Sequence, residues 1–314
     1  KVYDEARGVS TDYEKAARWY RAAADQGHLP AQLVLGAMYA EGERIVQDDV
    51  EALRWFRAAA EQGNEHAQFN VGLMYKKGRG VPQDEAEAVR WFQGIAERGH
   101  PHAQTELGLN YFFGLGVAQD DREAIRWFQA AAQQGHAPAQ TRLGAMYYLG
   151  RGVIPDHDEA FKWHWLAAEQ EDTLAQANLA QLYEEGRSVD QNTSEAIKLY
   201  RFAANKGNIY AQFKLGVLLE QYGSSVSGSD SAVYWLNLAA NGGNLEAQIK
   251  LGTLYFQGQG VIQDYAQAYM WLNIASIKGD DNVRRMRDEV ASCMTDEQTA
   301  SGQALSRQKQ NPDS

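Results

Sequence analysis

The sequence predicts an all-α protein, an α/α superhelical solenoid of 36-residue helix-pair repeats closed by a C-terminal helical cap. Three observations predict it: an Ala-Gln dipeptide and a tryptophan series each return every 36 residues, and glycines separate the two series. The 314 residues are 44% hydrophobic, which is enough for a packed core. We expect a repeat array over residues 1–279, with a partial first repeat and seven full ones, and capping helices with a tail over residues 280–314.

The first helix of each repeat, helix A, is marked by the Ala-Gln dipeptide. A leucine or valine follows the alanine by four residues, and in all repeats but one a tyrosine follows it by eight. Positions i, i+4 and i+8 share one face of an α-helix, so the segment is predicted to be an amphipathic helix of about three turns. The dipeptides are Ala31-Gln32, Ala67-Gln68, Ala103-Gln104, Ala139-Gln140, Ala175-Gln176, Ala211-Gln212 and Ala247-Gln248.

The second helix, helix B, carries a large apolar residue three positions after an alanine. Alanine pairs and charged residues fill the remaining positions, which suits close packing on one side and water on the other. Because the tryptophans keep strict phase, we interpret them as core residues rather than as a stacking surface for bases or sugars. The series is Trp19, Trp55, Trp91, Trp127, Trp163, Leu199, Trp235 and Trp271.

The connectors carry matching signals. Gly-x-Gly-Val follows helix A in four repeats, as at Gly78 to Val81, where the first glycine suits the left-handed position after a helix. An aspartate with a glutamate three residues later, as in Asp84 and Glu87, predicts a capping box that opens helix B. Glycine ends helix B in every repeat except at Glu171. The seventh connector departs from this pattern, with Tyr222-Gly223-Ser224-Ser225-Val226 and with Gly228 at the aspartate position.

After Gly279 the period stops. Residues 281–293 and 295–308 are predicted to form two further helices, the second opened by the capping box Thr295-x-x-Gln298. Their lower aromatic content suits a terminal cap.

The repeat pattern is Ala-x-x-x-Leu-Gly-x-x-Tyr-x-x-Gly-x-Gly-Val-x-x-Asp, then Ala-x-x-Trp and a run of small residues to glycine. Over about residues 3–279 it resembles the Sel1-like repeat. The resemblance implies a superhelix akin to tetratricopeptide arrays, which serves as an adaptor in signalling, envelope assembly and host–pathogen contact, without catalytic residues. The run from Met286 to Gln298 is similar to the tail of bacterial members, among which secreted, virulence-type proteins are the kind that this chain resembles.

Composition excludes several classes of function. The formal charge of −11 repels a phosphate backbone, so no nucleic-acid partner is expected. No apolar stretch approaches the roughly 20 residues of a membrane span. Cys293 alone can form neither an internal disulfide nor a CxxC zinc motif. Because the chain begins at Lys1, we interpret upstream residues, including a signal peptide, as removed. The expected location is secreted, periplasmic or envelope, with the cytoplasm left open.

The residues that look chemical have structural interpretations. Gly-x-Gly lacks the preceding strand and the GK[ST] pattern of a phosphate loop. His28, His100 and His136 occupy a helix N-cap position that holds Asn or Asp in other repeats, so we interpret them as caps rather than metal ligands. The Asp–Glu pairs recur too often for one active site. We therefore predict no catalytic residue, metal or cofactor, and no enzyme.

Function is expected where helix A varies. In solenoids of helix pairs one helix series lines the inner curve, and variation there creates a binding surface. The leading hypothesis is a non-enzymatic scaffold that binds a protein partner, with host proteins among the candidates. The competing interpretation is that these residues only pad neighbouring repeats. The predicted contact residues are Asn70, Lys77, Glu106, Phe112, Phe113, Arg142, Tyr148 and Leu149.

The alternative function is recognition of an anionic lipid headgroup, such as a phosphoinositide, or of an envelope glycan. It rests on basic residues that would bind a negatively charged surface in a salt-dependent way. These residues are Lys214, Lys250, Arg284, Arg285 and Arg287.

Overall fold

The computed structural model describes residues 13–42, 45–222 and 231–310. Within them the chain forms 17 α-helices and no β-strand, which confirms the predicted fold class. The expected departure in the seventh connector, at residues 223–228, lies outside the described residues.

Helices of 10 to 15 residues follow one another through short connectors. Even-numbered helices from α2 to α14 are helix A, odd-numbered helices up to α15 are helix B, and the last two follow the array. In chain order they are α1 (Tyr13–Ala24), α2 (Leu29–Glu41), α3 (Asp49–Glu61), α4 (Glu65–Lys77), α5 (Glu85–Ala96), α6 (Pro101–Phe113), α7 (Asp121–Gln133), α8 (Ala137–Leu149), α9 (His157–Ala168), α10 (Thr173–Glu185), α11 (Thr193–Asn205), α12 (Ile209–Tyr222), α13 (Ala232–Asn241), α14 (Leu245–Gln257), α15 (Tyr265–Ala275), α16 (Asp281–Ser292) and α17 (Asp296–Gln310).

The chain divides into two compact units, residues 1–166 and 167–314. In the second unit α16 and α17 both pack on α15, where Val283 and Val290 join Leu272 in one apolar cluster. The predicted boundary at residue 279 falls inside this unit, and the division into array and cap stays a prediction.

A side-chain hydrogen bond links each helix A to the helix B before it. The amide nitrogen of the Ala-Gln glutamine donates to an alanine carbonyl in the last turn of that helix B, as from Gln104 to Ala96 at 3.0 Å. The carbonyl of Ala96 also accepts from the backbone N–H of Gly99, so the glutamine amide occupies the second lone pair of this carbonyl oxygen. The bond recurs from Gln32 to Ala24, Gln68 to Ala60, Gln140 to Ala132, Gln176 to Ala168, Gln212 to Ala204 and Gln248 to Ala240, at 3.0 to 3.2 Å.

The glycine after the helix-A leucine allows helix B to pack closely. A Cβ placed on Gly108 would lie 2.6 Å from the ring of Phe128, and one on Gly72 would lie 2.5 Å from the ring of Phe92. A larger residue would force these buried rings away, and close-packed interiors absorb such shifts poorly. Glycine at this position therefore permits the close packing of helix B, and only the repeat with Ala180 accommodates a larger residue there.

Both glycines of Gly-x-Gly have structural roles. Gly78 ends α4 in the left-handed conformation at φ 65°, as predicted. Gly80 is also left-handed, and a Cβ there would lie 2.2 Å from the carbonyl oxygen of Asp49 at the start of the preceding helix B. The motif thus ends one helix and lets the connector lie directly against another. At the exceptional position Glu171 takes the left-handed conformation itself, at φ 60°.

The aspartate caps are confirmed, but only half of the predicted capping box forms. Asp84 accepts from the backbone N–H of Glu87 at 2.9 Å. Its own N–H donates to the carbonyl of Tyr75 at 3.0 Å, and Glu87 pairs with Arg90 instead. The tyrosine carbonyl, left free in the last turn of helix A, takes the bond that the glutamate was expected to make.

The complete capping box forms at α17. The N–H of Thr295 donates to Oε1 of Gln298 at 2.9 Å, and the N–H of Gln298 donates to Oγ1 of Thr295 at 3.2 Å. Both orphan donors at this helix start are therefore satisfied reciprocally, as the sequence predicted.

The tryptophan series is a core series with one exception. Trp55 packs among Ala24, Ala31 and Leu35, at the junction of its own helix A with the preceding helix B. Trp19 is 69% exposed, so its assignment to the core is wrong. The buried members are Trp55, Trp127, Trp163, Trp235 and Trp271, and Trp91 is partly buried.

Replacing the buried glutamine of α8 tests the recurrent hydrogen bond. We expect Gln140→Leu to lower the free energy of unfolding by about 1–2 kcal/mol, because the buried carbonyl of Ala132 loses a donor. Urea denaturation followed by circular dichroism measures it. Gln133→Leu, at an exposed position of α7, is the control. Equal midpoints for the two variants would show that the bond adds no net stability.

His164 makes the first unit sensitive to acid. It fills the position that holds Phe128 in α7 and packs against Gly144, with Nδ1 buried and without a hydrogen bond. Burial lowers the pKa of His164 from 6.5 to about 4. Because the folded-state pKa is the lower one, stability is lost as the pH falls below 6.5, by about 3 kcal/mol at pH 4.

We expect His164→Phe to remove this loss, since a neutral ring of similar shape occupies the equivalent site in α7. The measurement is the urea midpoint at pH 7.5 and at pH 5.0, for the variant and the parent chain. If the urea midpoint falls between pH 7.5 and pH 5.0 by as much in the variant as in the parent chain, His164 is not the source of the acid sensitivity.

Candidate binding surface on helix A

Within each unit successive helices A lie side by side, and ion pairs join residues 30 positions apart. Nζ of Lys76 lies 2.6 Å from Oε2 of Glu106, which belongs to the next helix A. Glu106 was predicted to contact a partner, yet its side chain is 22% exposed and already paired. For Glu106 the geometry favours the competing interpretation, in which the residue pads neighbouring repeats.

The basic residues proposed for lipid binding are also engaged. Lys214 pairs with Glu184 and Lys250 with Glu220, each at 2.7 Å and 30 residues apart. In α16 the arginines contact neighbouring acidic groups: Arg284 with Asp281 at 2.5 Å, Arg287 with Asp288 at 2.6 Å, and Arg285 with the carbonyl of Asp281 at 3.3 Å. These contacts favour structural roles for the basic residues over a surface for anionic lipid.

A cavity of about 400 Å³ lies between α2 and α4. Leu33, Leu73 and Met74 give it an apolar lining, and two predicted contact residues, Asn70 and Lys77, contribute to it. No sequence pattern indicated this cavity. The cavity makes part of the predicted binding surface concave, and its lining combines polar and apolar side chains. Sites that bind ligands or peptides usually have such a lining.

Of the charged residues that line the cavity, one is held in an ion pair and two are not. Arg79 hydrogen-bonds to Asp49 and to the carbonyl of Ala40, and this contact lowers the pKa of Asp49. Lys77 and Glu41 are exposed and form no hydrogen bond or ion pair with any described residue. The cavity therefore carries an available cation and an available anion.

The last residues of four successive helices A form what we name the helix-end row: Glu41, Lys77, Phe113 and Leu149. Phe113 is 58% exposed and Leu149 is 62% exposed. Each precedes the left-handed glycine that ends its helix, so the four side chains share one position in the repeat. The row changes from charged to apolar along the first unit.

The other predicted aromatic residues are partly used within the stack. The guanidinium carbon of Arg151 lies 3.9 Å from the ring centroid of Phe112, and Arg151 also pairs with Asp121. Tyr148 packs against the ring of His157, with centroids 5.3 Å apart. Arg142 is exposed and has no partner among the described residues. The structure thus presents Phe113, Leu149, Lys77 and Arg142 outward.

The histidine caps are confirmed for two of the three residues. Nδ1 of His28 accepts from the N–H of Ala31 at 3.3 Å, and Nδ1 of His100 accepts from the N–H of Ala103 at 3.2 Å. His136 occupies the N-cap position of α8 as predicted, but its side chain makes no cap hydrogen bond. Its ring instead contacts Thr105 and His102.

These contacts define a hydrogen-bonded chain. Thr105 donates its one hydroxyl proton to the carbonyl of Pro101 at 2.8 Å, so it must accept from Nδ1–H of His136 at 2.8 Å. Nε2 of neutral His136 then accepts from Nδ1–H of His102 at 3.1 Å. Burial, and then the nearby charge of His102, lowers the pKa of His136.

Four histidines, His66, His100, His102 and His136, are linked by ring contacts at 4.4 to 6.0 Å. No group of three or more His, Cys, Asp or Glu side chains in the described part of the chain has the arrangement of a metal site. No described helix is both long enough and apolar enough to span a bilayer.

The Sel1 repeat model matches eight consecutive segments: residues 2–28, 29–64, 65–100, 101–136, 137–172, 173–208, 209–244 and 245–280. The chain belongs to the Sel1 repeat family. Each full segment begins with helix A and ends after helix B, in the phase that the sequence predicted.

Solved structures of bacterial proteins share this fold. A protective antigen of uropathogenic Escherichia coli with an SLR fold is 31% identical over 98% of this chain and 74% of its own, with a TM-score of 0.66. A Sel1 repeat protein of Oxalobacter formigenes is 35% identical over 88% of this chain and 80% of its own, with a TM-score of 0.69. No curated protein matches the chain significantly.

His136→Asn should make the first unit less sensitive to mild acid. Asparagine is the cap at the equivalent Asn64, so the variant gains a normal cap and loses the histidine pair. The lowered pKa of His136 means that its contribution to stability is lost below about pH 6.5, and Glu65 opposes a similar shift at His100.

The check is the change in urea midpoint between pH 7.5 and pH 5.5. His28→Asn, at a cap outside the histidine cluster, is the matched control and should behave as the parent chain does. Equal changes in both variants would rule out the His102–His136 contact as an acid-sensitive element.

Proposed function

We propose that this protein is a non-enzymatic scaffold that binds a protein partner on the helix-A surface of its first unit. The observation that carries the proposal is the exposure of Phe113 and Leu149, at 58% and 62%, in the row that also includes the cavity residue Lys77. Large apolar side chains beside charged groups are typical of interface hot spots.

The repeat supports binding because it fixes this surface in advance. Hydrogen bonds from glutamine and close glycine contacts hold each helix A in place, so few side chains must be ordered when a partner binds. The residues that could suggest catalysis have structural roles: Asp84 caps α5, His100 caps α6 and Gly78 ends α4.

The proposal includes a bacterial factor that is secreted or lies in the envelope and that contacts a host protein. Its support is the likeness to a protective antigen of uropathogenic Escherichia coli, since antigens that protect are accessible to the host. Fractionation of the bacterium that carries the gene should find the protein in the periplasm, envelope or medium. Recovery from the cytoplasm alone would contradict this location.

Removing the two exposed apolar side chains tests the binding surface. We expect the double variant Phe113→Ala/Leu149→Ala to lose at least tenfold in partner affinity, because hot-spot side chains each contribute about 1–2 kcal/mol or more. The measurement is capture from host and bacterial lysates, followed by titration with the captured protein.

The control is Ile262→Ala, which removes an aliphatic side chain that is 90% exposed in the second unit. It should bind as the parent chain does, and all three proteins should give the same helical circular dichroism. Capture that survives the double substitution would remove the helix-end row from the proposed interface.

A further inference from the structure

We infer that the helix-end row binds an extended peptide segment that carries an acidic residue at one end of two apolar residues, at a spacing of about three and in either chain direction. The inference rests on the proposed function and adds the chemistry and conformation of the partner. Its evidence is the charge balance around Lys77, the apolar cavity beside it and the order of side chains along the row.

Lys77 lacks the counter-charge that its neighbours have. Lys76 is paired with Glu106 at 2.6 Å, and Arg79 is paired with Asp49 at 2.5 Å. Lys77 contacts no carboxylate among the described residues, although the protein as a whole carries a charge of −11. A carboxylate supplied by a partner would complete the pattern, and a basic residue there would be repelled.

Glu41 determines which part of the row can accept the acidic residue. It lies at the same helix position as Lys77, one repeat earlier, and both contribute to the cavity. An acidic residue is thus favoured beside Lys77 and disfavoured beside Glu41. Exposed ion pairs contribute only about 0.2–1 kcal/mol, so charge sets the register and buried apolar side chains supply most of the affinity.

The apolar contacts follow in order. The cavity offers Leu33, Leu73 and Met74 to a side chain on the α2 side of the acidic residue, and on the other side the row presents Phe113 and Leu149. A segment that crosses the helices from α4 to α8 therefore meets a cation and then two apolar residues. The complementary sequence reads acidic, apolar, apolar in one chain direction, or apolar, apolar, acidic in the other.

The step between helices sets the spacing. Successive helices A share few close backbone contacts, so they lie at or beyond the upper end of the range of about 8–10 Å for packed helices. An extended chain advances about 3.3 Å per residue, so each step corresponds to about three residues or slightly more. A helical partner advances about 1.5 Å per residue and would need six or seven. A helix is also about 10–12 Å wide, which is too wide for a cavity of about 400 Å³ to enclose.

A random twelve-residue phage library panned on the full chain tests the inference. We expect enriched peptides to carry Asp or Glu about three residues from an apolar residue, with the acidic residue at one end of the motif. Against Lys77→Glu, the acidic position should change to Lys or Arg while the apolar positions persist. Lys278→Glu, which reverses an exposed lysine of the second unit, should leave the acidic preference unchanged.

Fluorescence anisotropy with one selected peptide gives the magnitude. Lys77→Glu should weaken binding at least about two- to fivefold, the range of an exposed ion pair, with unchanged circular dichroism. Enriched peptides without an acidic residue, or with apolar residues seven apart, would overturn the inference and leave the proposed surface standing if Phe113→Ala/Leu149→Ala abolishes their binding. Failure to enrich any peptide sensitive to that double substitution would overturn both.

Discussion

The hydrogen bond from the Ala-Gln glutamine to the last turn of the preceding helix B is the contact on which the repeat depends. It recurs at seven junctions with nearly constant length, and its glutamines are mostly buried. A buried amide must keep its partner, because leaving it unpaired costs more than the bond contributes when formed. The bond therefore fixes the axial position of helix A, and this position lets Gly108 meet Phe128 and brings the connectors against the start of the preceding helix B.

The fold was predictable because every signal repeats in phase. The details that depend on competition between hydrogen-bond partners could not be predicted. Whether the N–H of Asp84 would bond to Glu87 or to Tyr75 depends on which acceptor is nearer, and the sequence does not contain that distance. His164 stands where related helices have Phe128, so an alignment of the repeats could have identified it as a buried histidine. His136 differs from His100 because Thr105 lies within its reach.

The candidate site was predictable in part. Variation along helix A identified Lys77, Phe113 and Leu149, which the structure leaves exposed. Variation at equivalent positions could not distinguish unpaired charges from ion-paired ones. Equivalent positions are 36 residues apart, whereas the ion-paired residues are 30 residues apart. Comparison at an offset of 30 would have shown opposite charges at Lys76 and Glu106, at Glu184 and Lys214, and at Glu220 and Lys250. The cavity depends on side-chain packing between α2 and α4, so no one-dimensional pattern contains it.

The uniform junction also bears on how such genes change length. Since each junction uses the same glutamine and alanine, and all but the one at Glu171 use the same glycine, unequal crossing-over between two repeats would insert or delete 36 residues and recreate a junction of the same kind. Core positions would pass through such an event unchanged. The order of side chains along the helix-end row would not, so recombination could rearrange a recognition surface in a single genetic step while the protein continues to fold.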